Sequence, residues 1–190
     1  MPLTAPQIEA LFTQPDGAFL FARWARPVAP VVFGLDDASL AVFKTALTAV
    51  FTHARHALTD TDPEMGANLM IFAVRDWADL TGIPDFDRLT GVPDLPARLT
   101  TDNADRYRLL RFGSDGGIRA CFSFLRLKGP LADAHPAQLA EAEGVNAALS
   151  FARHVTPSAD LARLIRAAYD PALPTCARDP SFALRLAARL

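Results

Sequence analysis

The residues able to bind a metal or move a proton are few and dispersed. His53 and His56 stand three apart, His135 precedes Pro136, and His154 follows Arg153. A histidine pair one helical turn apart could hold a metal, but no third ligand lies near it in sequence. The apolar stripe of its helix also places both rings on the opposite, solvated side. Acidic side chains that could join His135 and His154 are Asp102, Asp105, Glu141 and Glu143. A hydrolase site assembled from these histidines and carboxylates is the enzymatic expectation, since proton transfer needs such groups within reach of one another. No serine occupies a GxSxG elbow. The glycine-rich stretch Gly113–Gly117 lies between two expected strands, whereas a phosphate loop leads into a helix N-terminus. It therefore reads as a hairpin turn. Cys121 and Cys176 are too far apart for a CxxC motif and too few for a disulfide framework. They read as small buried hydrophobes, with a single disulfide as the alternative.

A basic cluster completes the inventory: Arg106, Arg108, Arg111, Arg119, Arg126 and Lys128, diluted by Asp102, Asp105 and Asp115. It reads as a solvated hairpin face that guards an edge strand against pairing with another chain. The formal charge of −2 over 190 residues speaks against broad nucleic-acid binding, which draws on a basic excess.

The elements that must position these residues follow from periodicity. Thr4 to Gln14 predicts a short amphipathic helix, and Phe19 to Phe33 an extended stretch that Pro27 and Pro30 confine to a sheet edge. Asp36 or Asp37 caps a long helix reaching about His56, with Leu40, Phe43, Leu47, Val50, Phe51 and Ala54 on one buried face. Ala67 to Val74 is an unbroken apolar run that predicts a buried central strand. Asp76 to Thr81 allows one helical turn, and Gly82 to Thr100 an irregular excursion with a short helix near Asp85–Leu89. Asp105–Phe112 and Gly117–Leu127 predict an antiparallel hairpin around Ser114-Asp115-Gly116-Gly117. Alternation of Ile118, Ala120, Phe122 and Phe124 with Arg119, Cys121 and Ser123 suggests one buried face on the second strand. The last third is helical: Pro136 to about Ala147, Pro157 to Tyr169 capped by Thr156, and a short helix opened by Asp179-Pro180.

This order predicts one α+β domain over residues 1–190: a small mixed sheet with an edge hairpin, one long packed helix and a C-terminal helical layer. With 51% hydrophobic residues the chain can bury a core without a disulfide or metal, and disorder is excluded by the same composition. No run approaches the ~18 apolar residues of a membrane span. No signal peptide is visible at the N-terminus, so a cytoplasmic location is expected unless a leader lies outside this sequence.

Three stretches together resemble a known bacterial family: Arg23-Trp24 with RPVAPVVFG, the long helix and ANLMIFAV; the hairpin with GGIRACFSF; and AQLAEAEGVNAALSF followed by LARLIRAAYDPALP. The order is similar to that of the domain of unknown function DUF2927, over roughly Ile8 to Pro174. The resemblance implies a zincin-like metallopeptidase fold. Zincins carry H-E-x-x-H on a helix, with a glycine and a third histidine beyond it in metzincins. Aligned on Gly144, that pattern falls on Ala137, Gln138, Glu141, Gly144 and Ala147. Alanines replace the outer ligands, and Gln138 replaces the general base and cannot take a proton from water. No methionine follows for the turn beneath such a site. The glycine has an alternative reading as a helix C-cap. The resemblance thus implies a zincin-like protein without its zinc site, binding no metal or other cofactor. It implies a module that holds an extended peptide or protein segment against strand Gly117–Leu127 without cleaving it. Gln138, Glu141 and Arg119 are the expected polar residues of that groove.

Overall fold

The computed structural model describes residues 2–190, with Pro130 described by its backbone alone. Thr4 opens helix α1 (Ala5–Phe12), where the Gln7 side chain accepts from the Thr4 backbone N–H at 2.9 Å. Strand β1 (Phe21–Ala22) and strand β2 (Pro30–Phe33) follow, the latter a sheet edge as its proline requires. Asp36 caps helix α2 (Asp37–Ala54) by accepting from the Ser39 N–H at 2.9 Å. The stripe of α2 buries Phe43, Leu47, Phe51 and Ala54. Strand β3 (Leu69–Val74) lies inside the sheet.

A 3-10 turn at Trp77–Gly82 leads to helix α3 (Phe86–Thr90) and helix α4 (Leu95–Thr101). The second of these corrects the irregular reading of this stretch. Pro96 falls in the first turn of α4, where no backbone donor is needed, so it starts the helix instead of breaking one. The hairpin forms as strands β4 (Arg106–Phe112) and β5 (Ile118–Arg126). Its turn is closed by the Gly113 N–H donating to the Gly117 carbonyl at 2.9 Å. Helix α5 (Pro136–Ala148) is capped by His135, whose Nδ1 accepts from the Ala137 N–H at 3.1 Å. Helix α6 (Ala159–Ala168) is capped by Ser158 and not by Thr156, because the Ser158 hydroxyl is the one within reach of the Leu161 N–H. Strand β6 (Cys176–Ala177) pairs with β1, and helix α7 (Phe182–Ala187) ends the chain.

The main sheet has the order β2-β3-β5-β4, with the first three strands parallel and β4 antiparallel. This corrects one expectation that mattered. Strand β5 is not an edge: it pairs with β3 on one side and with β4 on the other. Its burial explains why. Ser123, expected on a solvated face, lies beneath the helical layer with Cys121, which is buried as a small hydrophobe should be, while Ala120, Phe122 and Phe124 face the other side. A strand covered on both faces belongs inside a sheet. The architecture is α+β, with two cores separated by the sheet. One lies under α2, α5 and α6 and includes Trp24, Phe43, Phe51 and Leu69. The other joins Phe72, Trp77, Phe86 and Phe124 under α3 and α4. No described helix is long and apolar enough to cross a membrane.

Candidate functional site

The residues carrying chemistry converge where β4 and β5 meet α5. Alternation along the strands puts Arg106 and Arg108 of β4 and Ser123 of β5 on the face toward α5. From α5, Glu143 and Asn146 face back, one helical turn apart. His154, from the α5–α6 connection, closes the group. Glu143 is only 3% exposed. Its Oε1 accepts from Arg106 Nη1 at 2.6 Å, and its Oε2 accepts from the Ser123 hydroxyl. Arg106 Nη1 also donates to His154 Nε2 at 2.9 Å, and Asn146 Nδ2 donates to the same nitrogen at 3.2 Å. Arg108 donates to the Asn146 and Phe151 carbonyls, and the Asn146 Oδ1 accepts from the Val155 N–H at 2.8 Å. A cavity of about 210 Å³ opens here, lined by Arg106, Arg108, Ser123, Glu143, Arg153 and His154 among others.

The electrostatics follow from this geometry. Burial pushes the Glu143 carboxyl upward, opposed by the Ser123 hydrogen bond and by the charges of Arg106 and Arg108. Burial pushes His154 down to about 4, helped by the same two arginines. With two N–H donors aimed at Nε2, the neutral ring carries its proton on Nδ1. The arrangement is no Ser-His-acid triad: the carboxylate stands between serine and histidine, and Nε2 lies 3.9 Å from Glu143 Oε1, acceptor facing acceptor. Each Glu143 oxygen accepts one of these hydrogen bonds.

The structure thus gathers Glu143 and His154 and scatters the other hydrolase candidates. Asp102 is exposed at the end of α4, Asp105 pairs with Arg126 at 2.7 Å, and His135 is spent as a helix cap. Glu141 opens on a different cavity of about 360 Å³ between α2, α5 and α6, beside Ala137, Val145 and His53. Gln138 is exposed, and Ala147 is buried with its carbonyl accepting from the Trp24 indole N–H at 2.7 Å. Arg119 pairs with Glu64. The expected groove set Gln138, Glu141 and Arg119 therefore does not share one site: no described cavity is lined by Arg119 together with Glu141. Gly144 neither turns the chain nor caps a helix. It sits inside α5, where a Cβ would lie 3.0 Å from Val50 Cγ2, so its role is close approach to α2.

Two other expectations are corrected. Arg106 and Arg108 turn inward from the hairpin face expected to be solvated, Arg106 onto the Glu143 carboxylate and Arg108 onto the Asn146 and Phe151 carbonyls. Of the two histidines expected on the solvated face of α2, His53 is exposed but His56 is half-buried. His53 Nε2 lies 2.8 Å from the Ala162 carbonyl, and His56 Nε2 lies 2.8 Å from the Arg26 carbonyl with its ring against Tyr169. Cys121 and Cys176 are free thiols, and burial pushes Cys121 up to about 12, out of nucleophilic range. Among the described residues, no three histidine, cysteine or acidic side chains lie close enough to hold a metal ion.

Nothing local in the sequence signals that Ser123, Arg106 and Arg108 gather around Glu143. Strand alternation could have put the first three on one face; only packing brings that face to α5.

Beside this site runs the outer edge of β4. The Arg126 N–H donates to the Asp105 carbonyl at 2.9 Å, which sets the pairing parity of the ladder. The main-chain groups of Tyr107, Leu109 and Arg111 then point to β5, and those of Arg106, Arg108 and Leu110 point outward. Among the described residues no partner meets those outward groups. Compared with known proteins, the chain matches no protein-family model, no curated protein and no solved structure.

Proposed function

We propose that this protein is a non-catalytic binding module that takes an extended peptide or protein segment on the outer edge of β4. The observation that carries the reading is the row of unpaired main-chain groups at Arg106, Arg108 and Leu110. An added strand satisfies such groups and draws its specificity from neighbouring pockets. The cavity beside Arg153 and His154 supplies one such pocket, and Arg153 is an exposed cation without a described carboxylate partner. The edge role thereby moves from β5, which is occupied on both sides, to β4. A zincin-like origin related to DUF2927, with the zinc site lost, belongs to the same reading. It is supported by alanines at 137 and 147, by Gln138, and by a helix that opens at Pro136 after a strand. A cytoplasmic setting also belongs to it, supported by two cysteines that stand as free thiols.

The test is selection of binders from a displayed library of random ten-residue peptides, followed by amide hydrogen exchange on the complex. Protection is expected at the Arg106, Arg108 and Leu110 amides. Leu110→Pro removes an outward donor while leaving the β5 ladder its own, and lowers affinity at least tenfold. Selected peptides that protect another surface, or that bind the proline variant unchanged, overturn the reading. The meeting of Glu143 and His154 favours one alternative, a hydrolase with a non-standard site. Hydrolysis of a panel of peptide or ester substrates by the purified protein, lost in both Glu143→Gln and His154→Asn, would favour that alternative.

A further inference from the structure

The opposite face of the sheet carries another opening, away from Glu143 and bordered by the Leu110–Phe112 end of β4. A cavity of about 820 Å³ lies between α3 and the turn end of the hairpin. Its lining includes buried Ala120 and Phe122 and the partly exposed Leu89 and Phe112, the last 37% exposed. Three arginines from three elements line it as well: Arg88 of α3, Arg111 of β4 and Arg119 of β5. A single acid, Asp85, joins them. This positive concentration stands against a chain whose formal charge is −2.

Two of these three arginines are without an ion pair among the described residues. Among the described residues Arg88 has no ion pair. Arg111 has no carboxylate either, and its Nη2 donates only to the Leu89 carbonyl at 3.3 Å. That contact fixes the guanidinium against the C-terminal end of α3, where carbonyls favour a cation. Gly91 makes room for it: a Cβ there would lie 2.7 Å from Arg111 Nη2. Arg119 is held by Glu64. The result is an apolar floor, one anchored cation and one free cation, in a volume typical of small-molecule sites.

We infer that this cavity binds a small organic anion, an apolar or aromatic body bearing one carboxylate, sulfonate or phosphate head. The body covers Phe112, Phe122 and Leu89, while Arg111 and Arg88 meet the head in the fork geometry that suits oxyanions. A neutral ligand of the same shape would leave the arginines unmatched.

The probe is anilinonaphthalene sulfonate, whose fluorescence is titrated against the whole chain and then competed with octanoate, octyl phosphate and octanol. Saturable one-to-one binding is expected, displaced by octanoate or octyl phosphate and not by octanol at equal concentration. The stronger of the two acids identifies the head group. Arg88→Gln and Arg111→Gln should each weaken binding about tenfold, the loss of one charge-assisted hydrogen bond, whereas Arg163→Gln on α6 should not. Absence of saturable binding, equal displacement by octanol, or wild-type affinity in both glutamine variants overturns the inference. If Arg111→Gln fails to fold, Arg88→Gln alone decides, since Arg88 is exposed and makes no described contact that the fold requires.

Discussion

Glu143 is the residue on which the polar centre turns. A carboxylate 3% exposed is tolerated only when its charge is answered, here by Arg106 at 2.6 Å and by the Ser123 hydroxyl. Removing one member of such a group leaves the others buried and unmatched. Glu143→Gln should therefore lower stability by about 3 kcal/mol in urea unfolding; a loss below about 0.5 kcal/mol would mean that the ion pair holds nothing together. His154 gives a second prediction. Its folded value near 4 lies below the ordinary 6.5, so the unfolded chain binds protons more readily between the two. Its contribution is intact above about pH 6.5 and is lost as the pH falls toward 4. Glu143 acts with the opposite slope, because its value is raised. Comparing wild type with His154→Asn isolates the histidine: the variant should lose less stability between pH 7 and pH 4.5. Parallel pH profiles would refute this. None of this pairing is legible in AEAEG, because a helix presents several faces and the sequence does not say which one meets a strand.

At the scale of elements, the seam between α2 and α5 depends on one missing side chain. Val50 and Leu47 of α2 occupy the space above Gly144, where a Cβ would lie 3.0 Å from Val50 Cγ2 and 3.4 Å from Leu47 Cδ2. Gly144→Val should cost about 2 kcal/mol through overpacking and reduced helix propensity, measured by thermal or urea unfolding. An unchanged midpoint would show that α2 can shift aside. The helices α1, α2 and α5, the central strand β3 and the hairpin turn were legible, because periodicity, caps and turn glycines are local signals. Helix α4 was not, since Pro96 has opposite meanings at the start and in the middle of a helix. The interior position of β5 was not either: Arg119 and Ser123 suggested a wet face, but Ser123 is buried by the partner it finds in Glu143.

For the whole molecule, the sheet is a shared wall between two cores. Trp24 is fully buried on the α2 side and Trp77 on the α3 and α4 side. Strands β3 and β5 contribute to both: Ile71 and Cys121 face one core, Phe72 and Phe122 the other. Neither core can dissolve without exposing the strands of its neighbour. Unfolding followed by tryptophan fluorescence in Trp24→Phe and Trp77→Phe should therefore give one transition each, coincident with circular dichroism of the same variant. A fluorescence midpoint that departs from the dichroism would show that the cores unfold separately.

By itself the sequence determined the kinds of element, the α+β class and the absence of familiar catalytic motifs, since these rest on spacing, capping and composition. Tertiary structure alone decided that β5 is interior and β4 an edge, which face of α5 meets the sheet, and that Glu143, Arg106, Ser123 and His154 stand together. The physical reason is that these depend on contacts between distant segments: Ser123 and Glu143 are 20 residues apart, and Arg106 and His154 are 48. Local propensity sets what each segment becomes; the burial of apolar faces against one another sets which polar groups are left to meet.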